Sequence, residues 1–317
     1  MMSFNLEQPA RELAEAIAKG PPLSGVSLAD ARKAVEAAQS APIPMPDIDE
    51  TWFTLSSAFG DFEVRIVRPQ GSTGRLPVIL YLHGGGWILG SWITHDLLTR
   101  RLAVGVNAAV AFVEYTRAPE AKYPAQIEQC YAAARWITGQ GAGGGFDTTR
   151  IAVAGDSAGG NMSTVLALMA KRRGDVRFVH QPMYYPMTDA SAEDSGSLRE
   201  FKDGPYGSAE GLAWFWSSYL ADEESRSDIF VSPLQATLSD LEGLPPALVI
   251  VDENDVLRDQ GEAYASKLRD AGVRTASVRF NGTIHDFMRL NALRDSESTR
   301  AAISLAVAEL RRAFGTG

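Results

Sequence analysis

Short apolar segments alternate with longer helical patterns along most of this 317-residue chain, and this alternation restricts the fold more than any other feature. Eight segments are typical of strands: 51–57, 62–69, 77–84, 108–116, 150–156, 178–186, 247–255 and 275–282. Helical patterns fill most of the intervals: 94–105, 121–138, 160–172, 258–271 and 296–314. Near-continuous apolar strands separated by helices predict an α/β fold with a mostly parallel eight-stranded sheet that is flanked by helices on both faces.

Two segments fall outside this alternation. Residues 1–48 contain helical stretches and end in a proline-rich sequence, and residues 190–230 carry charges followed by the aromatic stretch GLAWFWSSYL. The second segment is too long for a simple crossover between strands. We therefore predict a helical cap made of 1–48 and 190–230, over a catalytic domain made of 49–189 and 231–317.

Composition excludes several classes of function. The net charge is −9, from 30 Lys and Arg against 39 Asp and Glu, and no dense basic stripe is present, so nucleic acid is not an expected partner. The single cysteine, Cys130, lies in a helical pattern, which excludes an internal disulfide and disfavours a cysteine-based metal site. No uninterrupted apolar segment reaches about 18 residues, so we expect a cytoplasmic protein without stable membrane insertion.

The sequence GDSAG at residues 155–159 follows a buried strand pattern and opens a helical one. A side chain at the tip of such a turn needs strained backbone torsions, and glycines on both sides remove side chains that would collide. Ser157 is therefore a candidate nucleophile. The alternative is that Ser157 is only a small residue where a strand passes into a helix.

A serine nucleophile needs a general base and a group that orients the base. The chain has four histidines: His83, His95, His180 and His285. His83 lies upstream, His95 begins a helix and His180 lies within a strand pattern. In the chain order serine, acid, histidine, the candidate is His285, which lies in a loop just past a late strand pattern and follows a carboxylate that itself follows Ser157.

The candidate orienting carboxylate lies in ALVIVDENDVLRD, where an apolar strand ends in several acidic residues. Asp255 is the preferred residue, with Asp252, Glu253 and Asp259 as alternatives. Asp255 also suits the N-cap of the next helix, and the two roles are compatible. A solvated acidic loop that only caps this helix is the other interpretation.

The sequence HGGGW at 83–87 directly follows the strand pattern PVILYL. Acyl transfer builds negative charge on a carbonyl oxygen, and unobstructed backbone N–H groups can stabilise that charge. We predict an oxyanion hole formed by the amides of Gly84, Gly85 and Ala158. A glycine turn required only for close packing is the alternative.

These residues resemble the bacterial hormone-sensitive-lipase-like esterases, a branch of the α/β-hydrolase fold. The resemblance runs from about residue 77 to 290 through HGGGW, EYTRAPEAKYPA, GDSAGGN, SPL, GLPPALVIVDENDVLRDQGEAYASKL and HDF. It implies that Ser157 is the nucleophile, that Asp255 orients His285, and that the HGGG loop forms the oxyanion hole. It also implies a cap built from N-terminal helices and an insertion after the sixth strand.

Three positions depart from the pattern of this family. Arg117 lies one place later than the arginine of the common D-Y-R-L-A-P-E stretch, Val256 replaces a frequent proline, and Asp286 replaces a frequent glycine after the histidine. None of these changes removes a catalytic group. They bear on loop geometry and on substrate preference.

The expected activity is hydrolysis of short-chain, small or aromatic carboxylic esters through an acyl-enzyme, without a metal or an organic cofactor. An amidase, a lactonase and a non-catalytic binding protein on the same fold are the alternatives. Aromatic residues predicted to line the substrate pocket are Trp87, Tyr184, Tyr185 and Trp214. The last strand, TASVRF, is predicted to lie at a sheet edge, where strand pairing would form a homodimer.

Overall fold

The computed structural model describes residues 4–140, 144–191 and 196–316. Within these ranges, eight strands form one sheet in the order β1-β2-β4-β3-β5-β6-β7-β8. The strands are β1 (Ile48–Ser57), β2 (Gly60–Pro69), β3 (Leu76–Leu82), β4 (Ala109–Glu114), β5 (Phe146–Asp156), β6 (Gln181–Tyr184), β7 (Ala247–Asn254) and β8 (Thr275–Ile284). β2 pairs antiparallel with β1 and β4, and all other neighbours are parallel. The predicted mostly parallel eight-stranded sheet is confirmed.

Helices connect these strands and cover the sheet. They are α1 (Gln8–Ile17), α2 (Leu28–Gln39), α3 (Trp92–Val106), α4 (Ala125–Gln140), α5 (Ala158–Arg173), α6 (Gly196–Glu200), α7 (Ala209–Tyr219), α8 (Leu238–Leu241), α9 (Arg258–Asp270) and α10 (Glu297–Phe314). α10 shows how local sequence sets the ends: the Ser296 side chain accepts the Thr299 N–H, and Gly315 ends the helix in the left-handed conformation.

Side chains of the central strand β3 point alternately to the two faces of the sheet. Val78, Leu80 and Leu82 belong to a buried core shared with α4 and α5, whereas Ile79 and Tyr81 belong to a core shared with α3 and α10. Because strand side chains alternate with a period of two, a strand covered on both faces must be apolar throughout. β3 is buried along its whole length, as this requires.

The two segments predicted as cap contain α1 and α2, and α6 and α7. Arg32 of α2 holds the first segment to the catalytic domain, because its guanidinium donates to the carbonyl of Ile88 at 2.8 Å and of Ala118 at 2.9 Å, and pairs with Glu120. Residues 192–195 of the predicted insertion lie outside the described residues. The division into cap and catalytic domain remains a prediction.

β8 lies at one edge of the sheet, as the sequence pattern predicts. The homodimer expected from this edge remains a prediction. None of the helices in the described ranges combines the length and the apolar content that a membrane crossing requires.

The turn between β5 and α5 is packed against the end of β3 without room for a side chain. A Cβ atom on Gly155 would lie 2.5 Å from the Leu82 carbonyl oxygen, and one on Gly159 would lie 1.9 Å from the same atom. Both distances are far below van der Waals contact, and the obstructing atom is backbone. The turn therefore requires glycine at both positions.

Replacing Gly159 by Ala should lower the free energy of unfolding by about 3 kcal/mol, because the new methyl group overlaps a fixed backbone carbonyl. Urea unfolding followed by circular dichroism measures this difference. Gly139→Ala is the matched control: Gly139 is helical and nothing lies within 4 Å of its added Cβ. That change should leave stability unchanged or raise it by about 0.5–1 kcal/mol. Equal stability of the two variants would contradict the packing argument.

Candidate active site

Ser157 lies between the last residue of β5 and the first residue of α5. Its backbone is in a left-handed region, with φ 54° and ψ −118°, which a non-glycine residue rarely adopts. The Ser157 N–H donates to the Tyr184 carbonyl at 2.8 Å, and this hydrogen bond holds the turn against β6. The strained turn aims the serine side chain away from the helix axis, toward the carboxyl edge of the sheet.

His285 and Asp255 meet Ser157 at this edge. His285 Nε2 lies 3.0 Å from Ser157 Oγ, and His285 Nδ1 lies 2.7 Å from Asp255 Oδ2. Asp255 is completely buried, and its other oxygen accepts the Leu257 N–H at 2.9 Å. The three side chains predicted from the sequence are thus brought together in the hydrogen-bonded order serine, histidine, aspartate that nucleophilic catalysis requires.

Several ionisable groups face the His285 ring. They are Asp255, Asp252, Asp286, Tyr185 and Tyr206. Burial by itself would lower the pKa of His285, but the negative charges of Asp255 and Asp286 outweigh burial and raise the pKa above its usual range. An acidic surrounding favours the imidazolium form, which is the form that His285 would take after removing a proton from serine.

Asp286 lies beside His285 in the structure. In the sequence it stood out only as a departure from the family pattern. It keeps the left-handed backbone that a glycine would adopt easily, with φ 69°. Its Oδ1 lies 3.6 Å from His285 Nε2, and its Oδ2 pairs with the buried Arg289 and accepts the Tyr206 hydroxyl at 3.3 Å. Tyr206 belongs to the predicted cap, so Asp286 connects the histidine loop to that segment.

Replacing Asp286 by Asn should move the acid limb of the kcat/KM profile to lower pH by about one unit or more, because a negative charge beside His285 is lost. The acid limb follows protonation of the free enzyme's base, so a lower histidine pKa keeps the base active in more acid solution. Asp270→Asn, at the exposed end of α9, is the control and should not move the limb. An unmoved or raised limb in Asp286→Asn would contradict this electrostatic assignment.

The oxyanion loop corrects one sequence prediction. The Gly84 N–H donates to Asp156 Oδ1 at 3.1 Å, so this amide is not available to a substrate oxygen. The amides of Gly85 and Gly86 have no hydrogen-bond acceptor within the described part of the chain. Gly85, Gly86 and Ala158 are therefore the candidate donors, with Gly86 in the place predicted for Gly84. A pattern of three glycines does not reveal which amides a neighbouring carboxylate occupies.

Asp156, whose carboxylate accepts the Gly84 N–H, has two further buried partners. The Tyr81 hydroxyl donates to its Oδ1 at 2.8 Å, and His95 Nε2 lies 3.1 Å from its Oδ2. Burial alone would raise the pKa of Asp156, but His95, Arg289 and Tyr81 together lower it below its usual range. This buried carboxylate is the second residue of GDSAG, and no sequence signal pointed to its partner His95.

His83, the first residue of the HGGG loop, is buried and stabilises the loop rather than contacting Ser157. Its Nδ1 lies 2.8 Å from the Gly84 carbonyl oxygen, and its ring stacks on Tyr115 with centroids 4.1 Å apart. Burial and the neighbouring His95 lower the pKa of His83 to about 3, so its ring is neutral. The displaced Arg117 donates to the Gly90 carbonyl at 2.8 Å, which holds the far end of the same loop.

The four aromatic residues predicted to line the pocket have different positions. Trp87 is completely buried and stacks on Tyr219 with centroids 4.0 Å apart, and Tyr184 is completely buried in the core of the sheet. The predicted pocket role of Trp87 and Tyr184 is therefore corrected to packing. The Tyr185 ring lies edge-on to His285 at 4.9 Å, and Trp214 stacks on Phe215 in α7.

Two of the alternative carboxylates, Glu253 and Asp259, have partners outside the triad. Glu253 accepts the Gly282 N–H at 2.8 Å, and Asp259 pairs with Arg258 at 2.8 Å. Asp252, Asp255 and His285 have ligating atoms within 4.8 Å of one another, a spacing that a metal ion could use. His285 already contacts Asp255 through one ring nitrogen and Ser157 through the other, so these atoms serve the serine site.

Comparison with known proteins agrees with this geometry. The model of the α/β hydrolase fold family matches residues 79–289. The chain belongs to this family. It resembles a solved thermostable esterase from Pseudomonas putida ECU1011 with a TM-score of 0.96 and 41% identity, covering 99% of each chain.

Two curated relatives match almost three quarters of the chain. Carboxylesterase NlhH of Mycobacterium tuberculosis is 40% identical over 229 residues, 72% of each protein. Ethyl acetate hydrolase of Pseudomonas putida is 37% identical over 233 residues, 73% of this chain and 72% of that protein. The predictions of the hormone-sensitive-lipase-like family and of a carboxylesterase are confirmed: the protein is an enzyme of the α/β-hydrolase fold with carboxylesterase activity.

Proposed function

We propose that this esterase hydrolyses short-chain carboxylic esters through an acyl-enzyme on Ser157. The observation that carries the proposal is the continuous contact from Asp255 through His285 to Ser157, with distances of 2.7 Å and 3.0 Å. A serine hydroxyl becomes a nucleophile at neutral pH when a base in hydrogen-bond reach accepts its proton.

In the proposed first step, His285 accepts the Ser157 proton while Oγ attacks the ester carbonyl carbon. The resulting oxyanion accepts hydrogen bonds from the amides of Gly85, Gly86 and Ala158. His285 then donates its proton to the leaving alcohol oxygen, and the C–O bond of the alcohol breaks. A water molecule deacylates the serine by the same sequence, which returns the proton to Ser157 and releases the acid.

A preference for small acyl groups is supported by the enclosure of the site. Ser157 is only 5% exposed and the His285 side chain 12% exposed. The Phe215 ring of α7 covers the oxyanion loop so closely that a Cβ on Gly86 would lie 2.1 Å from it. A ring in this position limits the room for a long acyl chain beside the oxyanion loop. The similarity to an ethyl acetate hydrolase points to the same substrate class.

Replacing Ser157 by Ala should lower kcat for p-nitrophenyl acetate by about 10⁴- to 10⁶-fold, because the nucleophile is lost while the fold is kept. Initial rates, followed by the absorbance of released nitrophenolate at saturating substrate, measure the change in kcat. Ser304→Ala, an exposed position on α10, is the matched control and should retain the parent rate. Turnover of Ser157→Ala at the parent rate would refute the proposed mechanism.

A series of p-nitrophenyl esters with increasing acyl length tests the substrate class. We expect kcat/KM to be highest for acetate to hexanoate and to fall for longer chains, because the covered site excludes them. In Phe215→Ala, removal of the ring over Gly86 should extend activity to longer acyl chains. A preference of the parent enzyme for long-chain esters, or faster turnover of amides or lactones than of esters, would contradict the proposal.

A further inference from the structure

One carboxyl group beside the proposed triad has no role in the steps above. Asp252 lies on β7, three residues before Asp255, and is completely buried. Across the described ranges, neither Asp252 oxygen has a hydrogen-bond partner. An ionised carboxylate in such a position would be strongly destabilised, since burial of an uncompensated charge costs far more than burial of a neutral group.

The carboxyl group of Asp252 lies beside another carboxyl group, that of Asp255. Ligating atoms of Asp252, Asp255 and His285 lie within 4.8 Å of one another. Two ionised carboxylates at this separation repel each other, and neither can donate a hydrogen bond. A contact between the two groups therefore requires one proton.

That proton belongs on Asp252 rather than on Asp255. Both Asp255 oxygens already accept a hydrogen bond, one from the Leu257 N–H at 2.9 Å and the other from the His285 ring at 2.7 Å, whereas neither Asp252 oxygen within the described residues does. The groups that face Asp252 are Asp255, His285, Asp286 and Tyr185. Two of these four are further carboxyl groups, and burial with the nearby Asp255 raises the pKa of Asp252 well above its usual range.

We propose that Asp252 is a positioning residue, held as a neutral carboxylic acid whose hydroxyl donates a hydrogen bond to Asp255. Asp255 is then fixed by donors from three directions: Leu257, His285 and Asp252. A fixed carboxylate keeps His285 in the ring orientation and tautomer that present Nε2 to Ser157. This inference rests on the proposed function of the triad.

The experiment compares kcat and the pH profile of kcat/KM for the parent enzyme and two variants, Asp252→Asn and Asp252→Leu. The Asn amide also donates a hydrogen bond and carries no charge, so this variant should retain kcat, with an unmoved acid limb. The Leu side chain has no donor, so kcat should fall about tenfold or more, the effect expected when a hydrogen bond to a charged group is lost.

Asp286→Asn is the matched comparison, because it removes a carboxylate that is ion-paired and lies 3.6 Å from the same histidine ring. Its acid limb should move to lower pH, whereas that of Asp252→Asn should not. A shift of about one pH unit or more in Asp252→Asn would show that a charge was removed and would overturn the proposal. A folded Asp252→Leu enzyme with the parent kcat would also overturn it.

The Asn variant decides the protonation state even if the Leu variant does not fold. Ser157→Ala, assayed in parallel, separates this inference from the proposed function. Retained activity in Ser157→Ala would refute the proposed function of the triad. If Ser157→Ala loses activity and the acid limb of the kcat/KM profile shifts in Asp252→Asn, the triad is supported and only the proposed role of Asp252 is wrong.

Discussion

The close packing of the β5–α5 turn against the end of β3 is the constraint on which the site depends. The backbone at Gly155 and Gly159 lies close to the Leu82 carbonyl oxygen. A Cβ atom on Gly155 would lie 2.5 Å from this oxygen, and one on Gly159 would lie 1.9 Å from it. A chain that turns so tightly leaves Ser157 in a left-handed conformation at its tip. The packing of the sheet maintains the strain, and the strain directs the hydroxyl group toward the histidine.

A single buried carboxylate supports both sides of the site. Asp156 accepts the Gly84 N–H and so fixes the oxyanion loop, and it lies 3.9 Å from Arg289. Arg289 in turn pairs with Asp286, next to His285 in sequence. The loop that would stabilise the oxyanion and the loop that carries the histidine thus share one electrostatic support. Low local dielectric strengthens these contacts and makes each unpaired charge costly.

The sequence predicted the sheet and the three residues of the candidate triad because these depend on patterns along the chain. Apolar strands with a helix between them specify a parallel sheet, and its strand ends place Ser157, Asp255 and His285 at one edge. The position of His180 within a strand pattern then left His285 as the candidate base. The contact of 2.7 Å between His285 and Asp255 selects Asp255 among the carboxylates that the sequence offered.

Other features depend on tertiary geometry that the sequence pattern does not contain. The Gly84 amide and the Trp87 side chain turn inward because Asp156 lies beneath the loop and Tyr219 lies beside it. Asp286 was visible only as a replacement for glycine, and its contact with His285 became clear only from the fold. Buried polar partners far apart in sequence leave no periodic signal.

The most direct test of Ser157 as the nucleophile is covalent labelling with a fluorophosphonate, followed by peptide mass spectrometry to locate the adduct. Such reagents react with a serine only when a neighbouring base activates it. A triad of Ser157, His285 and Asp255 predicts one adduct per chain, on Ser157, formed together with complete loss of esterase activity. Continued ester hydrolysis by fully labelled protein, or an adduct on another residue with Ser157 unmodified, would contradict it.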